Sequence, residues 1–156
     1  MPDPTVPDPT PDSATLPSRP RRAGTGPGRI LVAAYAVLAL AATGRSIMQI
    51  VLYFQRAPLA YLLSALAAVI YLIATIALAR GDRTSARVAF VAISIELAGV
   101  LIVGTLSYAL PSAFPDKTVW SHFGSGYGYV PLVLPILGLW WLHRLSRTGP
   151  AGLSPQ

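Results

Sequence analysis

No cysteine occurs among the 156 residues, which excludes disulfides, CxxC redox chemistry, thiolate nucleophiles and cysteine-ligated zinc. Charge is also scarce. Asp, Glu, Lys and Arg together make up 12% of the chain, about half of the ~25% usual in a soluble domain. There are two histidines, His122 and His143, at opposite ends of one apolar run. They would face opposite sides of a membrane, which excludes a bis-histidine haem within the chain. Lys117 is the only lysine and Glu96 the only glutamate. A net charge of +6 would suit nucleic acid, but the basic residues cluster at the ends of apolar runs and do not interleave with aromatics, so no nucleic-acid partner is expected. No metal-ligand pair, nucleophile–base arrangement or phosphate-cradling loop is present. No catalytic, cofactor-binding or metal residue is therefore assigned, no cofactor is expected, and the chain reads as a non-enzyme.

What is present is apolar. Residues 1–28 form a separate zone holding eight of the fifteen prolines, with Pro-Asp-Pro-Thr at 2–5 and again at 7–10. Without aromatics it cannot bury enough surface to fold, and it reads as a disordered cytoplasmic tail. Four apolar segments follow, at 30–54, 58–79, 88–109 and 121–142, within a domain of 29–147; a short C-terminal tail, 148–156, closes the chain. Twenty-two helical residues span ~33 Å, enough for a hydrocarbon core of ~30 Å. The expected fold is therefore all-α: a polytopic membrane protein with a four-transmembrane-helix bundle.

The flanks orient these helices. Arg19, Arg21, Arg22 and Arg29 precede the first, Arg80, Arg83 and Arg87 separate the second and third, and Arg144 and Arg147 follow the fourth. The alternate loops carry only Arg56 and Lys117. That asymmetry places both termini in the cytoplasm of a bacterial inner membrane. Tyr53, Phe54, Tyr61, Tyr108 and Trp120 then mark the outer interface, Trp140 and Trp141 the inner one. A cleavable signal peptide competes for the first segment, with arginines, an apolar run at 30–43 and Ala39-Leu40-Ala41. Cleavage there would leave the apolar IMQIVLYF at a mature N-terminus outside the membrane, so a retained helix is expected.

Two charges fall inside the spans. Arg45 lies past the midpoint of the first helix and Glu96 before the midpoint of the third. An unpaired arginine near the bilayer centre costs ~2.5–3.5 kcal/mol or more, which favours an Arg45–Glu96 pair over a snorkelling arginine and a separately protonated glutamate. Tyr71 falls at the depth of Glu96 and is expected to donate to it. Pro131 is expected to kink the fourth helix and free the Tyr127 carbonyl for Arg45, with Pro135 a second kink. Such a cluster is a structural ion pair or, less conservatively, a proton or substrate site. Gly126-Tyr127-Gly128 matches the core of a potassium-channel filter, but only 14 residues, 129–142, or ~21 Å, would remain to recross the membrane. The Thr-Val before such a filter and the Asp after it are also missing. Ala60, Ser64 and Ala68, and Ala92, Glu96 and Gly99, form small-residue faces suited to helix packing, a homo-oligomer or a membrane-protein partner.

The stretches ATGRS (42–46), APLAY (57–61), ELAGV (96–100), and TVWS with GYGYVPLVLP (118–135) resemble a functionally uncharacterised family of small four-helix integral membrane proteins of high-GC Gram-positive bacteria. The resemblance covers roughly 29–144. It implies the four-helix architecture and carries over no activity, ligand or catalytic residue. The expected function is that of an accessory or structural subunit acting through helix–helix contacts in the lipid bilayer. The alternative is a small transporter or proton-coupled carrier using Arg45 and Glu96.

Overall fold

The computed structural model describes residues 26–147; residues 1–25 of the tail read over 1–28, and the tail 148–156, lie outside the described residues, while Pro27 and Gly28 belong to the first helix. Among the described residues the α-helices are α1 (Pro27–Tyr53), α2 (Pro58–Arg80), α3 (Arg83–Ala109) and α4 (Val130–Arg147). Between α3 and α4 lie two short 3₁₀ turns, Pro111–Ala113 and Ser121–Tyr127. Among the described residues all regular structure is helical. α1 packs along α2, α2 on α3, and α3 on α4.

Local chemistry accounts for the boundaries. Pro27 and Pro58 open α1 and α2 at the first helical positions, where a missing N–H costs nothing and the fixed φ suits a helix. α2 stops at Gly81, whose φ of 69° supplies the left-handed cap, a conformation that glycine adopts without steric cost. Asp82 then caps α3, its carboxylate accepting from the Ser85 amide at 3.1 Å and from the Ser85 hydroxyl. A connection of only two residues forces α2 and α3 to run antiparallel. We call this end of the molecule the turn end, and the opposite one, with the α1–α2 and α3–α4 connections, the loop end.

α1, α2 and α3 are each long and apolar enough to cross a membrane. Their outward faces are large and apolar, with Leu40, Val51, Leu66, Val69, Ile95 and Ile102 all exposed. Water would penalise such a belt; a hydrocarbon solvent accommodates it. The molecule is therefore membrane-embedded.

The fourth span departs from expectation. The segment 121–142 does not form one helix. Its first part is the 3₁₀ turn, bent by 99° against α4, and α4 begins at Val130 and runs on to Arg147. The reversal falls at Gly128 and Tyr129, both left-handed with φ of 61° and 62°. Pro131 therefore sits in the first turn of α4, where it starts the helix instead of kinking it. Pro135 lies inside α4, where its missing N–H leaves the Pro131 carbonyl without its ladder donor. With 18 residues, α4 is ~27 Å long. A fourth crossing exists only if the bent pair counts as one span.

Residues 118–124 are folded inward from the loop end. Thr118, Val119, Trp120, Ser121 and Gly124 are all buried. The Trp120 ring lies where a Cβ on Gly99 would come within 2.7 Å, and Phe123 packs equally close to Gly104. Gly99 lies ten residues, ~15 Å, inside the end of α3. Trp120 is thus a core residue and not the interfacial marker expected from sequence. Tyr53, Phe54 and Tyr108 are exposed near the loop end.

Two outcomes follow. Gly99→Ala or Gly104→Ala should destabilise the detergent-solubilised protein by ~1–3 kcal/mol, because a packed ring must move. Gly44→Ala, with nothing within 4 Å, should be neutral or stabilise by up to ~1 kcal/mol; denaturant titration compares the three. Asp82 is held below the ordinary carboxylate range by the Ser85 hydroxyl and amide. Its contribution is therefore present above the ordinary carboxylate pKa and lost as pH falls through the folded value. Asp82→Ala should melt below the wild type at neutral pH, and the two melting curves should converge in acid.

Candidate functional site

The polar centre of the protein is a set of four side chains, Tyr35 of α1, Tyr71 of α2, Glu96 of α3 and Trp120 of the inserted segment. Tyr35, Tyr71 and Glu96 are 0% exposed and Trp120 is 2% exposed. The Tyr35 hydroxyl donates to Glu96 Oε2 at 2.7 Å. Trp120 Nε1 donates to the Tyr71 hydroxyl at 3.0 Å. The two tyrosine rings lie 6.3 Å apart at a tilt of 54°. Gly138 brings α4 against the same group: a Cβ there would stand 3.7 Å from the Tyr35 hydroxyl and 3.2 Å from Ile93. Each helix thus contributes a side chain or a close approach, and the four side chains are enclosed by the bundle. Glu96 Oε1 is buried without a hydrogen-bond partner.

The expected Arg45–Glu96 pair is not formed. Arg45 Nη2 donates to the Lys117 carbonyl at 2.9 Å and its Nε to Gln49 Oε1 at 3.4 Å. An ion pair joins Arg56 and Asp116 at 3.5 Å. The physical reason lies in the α3–α4 connection, which returns into the bundle and brings a backbone carbonyl to the arginine. The guanidinium then keeps one side open to a cleft of about 470 Å³ at the loop end, shared with Arg56, Asp116 and Lys117. Reaching outward costs less than crossing an apolar core to a carboxylate.

Tyr71 lies in the same cluster as Glu96, but its hydrogen-bond partner is Trp120 and not Glu96. Tyr127 is half-buried. It precedes α4, so Pro131 breaks no ladder bond to its carbonyl, and Arg45 bonds elsewhere. Of the four predicted residues, the structure brings Glu96 and Tyr71 into one cluster and leaves Arg45 outside it.

Sequence reading missed Tyr35 and Trp120. Tyr35 carries the only polar side-chain tip between Ile30 and Ala42, a signal that was available. Trp120 stands in Thr118-Val119-Trp120-Ser121, between hydroxyl residues that cap its backbone. Thr118 Oγ1 accepts from the Trp120 and Ser121 amides at 3.0 and 2.8 Å, and Ser121 Oγ accepts from the Thr118 amide at 2.9 Å. Ser64 Oγ accepts from the Val119 amide at 3.3 Å and Ser107 Oγ from the His122 amide at 2.8 Å.

Among the described residues no cluster of His, Asp and Glu is placed to hold a metal ion. No protein-family model, curated protein or solved structure matches the chain.

Coupling between side chains tests this arrangement. Tyr35→Phe and Glu96→Leu should show a coupling of ~0.5–3 kcal/mol in a double-mutant cycle, because they share a buried hydrogen bond. Arg45→Gln and Glu96→Gln should be additive, because they share no partner. Thermal denaturation in detergent reads both cycles.

Proposed function

We propose that this is a non-enzymatic multi-pass protein of the bacterial inner (cytoplasmic) membrane, an accessory or structural subunit acting through helix–helix contacts, with both termini cytoplasmic. The observation that carries the reading is the closed core at Glu96. Its polar groups are used to tie helices together, and a transport site needs a path by which solute or water arrives. The exposed apolar faces suit lipid, a second copy or a membrane-protein partner. Orientation rests on the arginine asymmetry between the turn end and the loop end. The resemblance to small four-helix membrane proteins of high-GC Gram-positive bacteria agrees with this architecture.

One observation favours the second reading, a small proton-coupled carrier. Glu96 Oε1 is a buried acceptor without a partner, and intramembrane carboxyls serve as proton sites in many carriers. Such a carrier would use Glu96 with Tyr35, since Arg45 is engaged elsewhere.

Vesicles carrying a pH-sensitive dye separate the two. The reconstituted protein is expected to leave an imposed proton gradient decaying as in empty vesicles. Faster collapse, abolished by Glu96→Gln, would establish the carrier. For orientation, single cysteines at the exposed Gln55 and Ser112 should react with an impermeant maleimide on intact cells. A cysteine at Thr84 should react only after permeabilisation, and the reverse pattern would invert the topology.

A further inference from the structure

At the turn end, a cleft of about 830 Å³ opens between the start of α3 and the end of α4. Arg83 and Arg87 of α3 and His143 of α4 line it, together with the apolar Phe90, Val91 and Leu142. Arg83 and Arg87 are four residues apart, and so lie on one face of the helix. Both are exposed, and among the described residues neither forms an ion pair. Asp82 also lines the cleft, but both of its oxygens are committed to capping α3.

The order of these residues along α3 matters. Arg83 begins the helix, and Phe90 and Val91 lie seven and eight residues further in, ~10–12 Å deeper. Cations therefore stand at the rim, and apolar wall continues into the span. A phospholipid has the same vertical order, phosphate first and acyl chain below. Guanidinium groups bind phosphate through paired charge-assisted hydrogen bonds, and basic pockets between membrane helices bind anionic headgroups.

We infer that this cleft holds an anionic glycerophospholipid, its phosphate on Arg83, Arg87 and His143 and one acyl chain along Phe90, Val91 and Leu142. The apolar wall distinguishes a lipid from a water-soluble phosphate compound, which would leave Phe90 and Val91 without a role. The unneutralised arginines distinguish an anionic headgroup from a zwitterionic one, whose own cation would be repelled.

Native mass spectrometry of the full chain in mild detergent, titrated with phosphatidylglycerol or phosphatidylcholine of matched chains, tests the site. Phosphatidylglycerol should bind roughly thirtyfold tighter, the ~2 kcal/mol of headgroup attraction from two arginines. Arg83→Gln with Arg87→Gln should abolish the preference, and Arg87→Gln alone should reduce it. Arg56→Gln with Lys117→Gln, which removes the same charge at the loop end, should leave it unchanged. Phe90→Ala should weaken both lipids about equally. Equal binding of the two lipids by the wild type, or a preference that survives the double arginine change, would overturn the assignment. So would displacement by glycerol phosphate as effectively as by the intact lipid, which would make the ligand a soluble phosphate.

Discussion

Backbone amides in a hydrocarbon environment must find partners within the protein, and residues 118–122 are where this constraint bears hardest. The chain there is not a regular helix, yet it is buried. His122, Phe123 and Gly124 are left-handed, with φ of 52°, 58° and 78°, so the α-helical ladder that serves every other buried segment is interrupted. Side-chain hydroxyls take over. Thr118, Ser121, Ser64 and Ser107 accept from five consecutive amides, those of residues 118 to 122. Irregular backbone at membrane depth is tolerated only when it is enclosed and satisfied in this way.

The rest of the core follows from that insertion. Trp120 reaches Tyr71 because its own amide and those of its neighbours are already satisfied, and its ring fits because Gly99 has no side chain. α4 is consequently short, since the residues expected to begin it have been used to fill the bundle. The Lys117 carbonyl is carried to Arg45 by the same movement of the chain, and this disposes of the arginine without a carboxylate. Glu96 is left to Tyr35 alone. A single inward fold of the α3–α4 connection thus decides the partners of both intramembrane charges.

Charge is also divided between the two ends in different ways. At the loop end Asp116 offsets Arg56 and accepts from the Tyr61 hydroxyl, so local acid and base are interlocked. At the turn end the only acid among the described residues, Asp82, serves as a helix cap, and the arginines beside it face a cleft with an apolar floor. The first arrangement fixes protein to protein. The second leaves cations directed at the surroundings.

The sequence by itself determined the all-helical, membrane-embedded character, the three spans α1 to α3 and most of their boundaries. Hydropathy over 20 or more residues and the caps at Pro27, Pro58, Gly81 and Asp82 are local signals that survive whatever the helices pack against. It also marked Glu96 and Tyr71 as buried polar residues, because depth along a helix can be counted. Tertiary structure alone decided which groups meet. The Arg45–Glu96 pairing failed because residue depth ignores a loop that returns into the span. The run 121–142 reads as one helix in sequence because hydropathy reports only that residues are apolar, and a buried 3₁₀ turn is as apolar as a helix. What separates them is the supply of hydroxyl acceptors from Ser64 and Ser107, residues 55 and 15 positions away from the amides they serve, and no local pattern encodes a meeting at that distance.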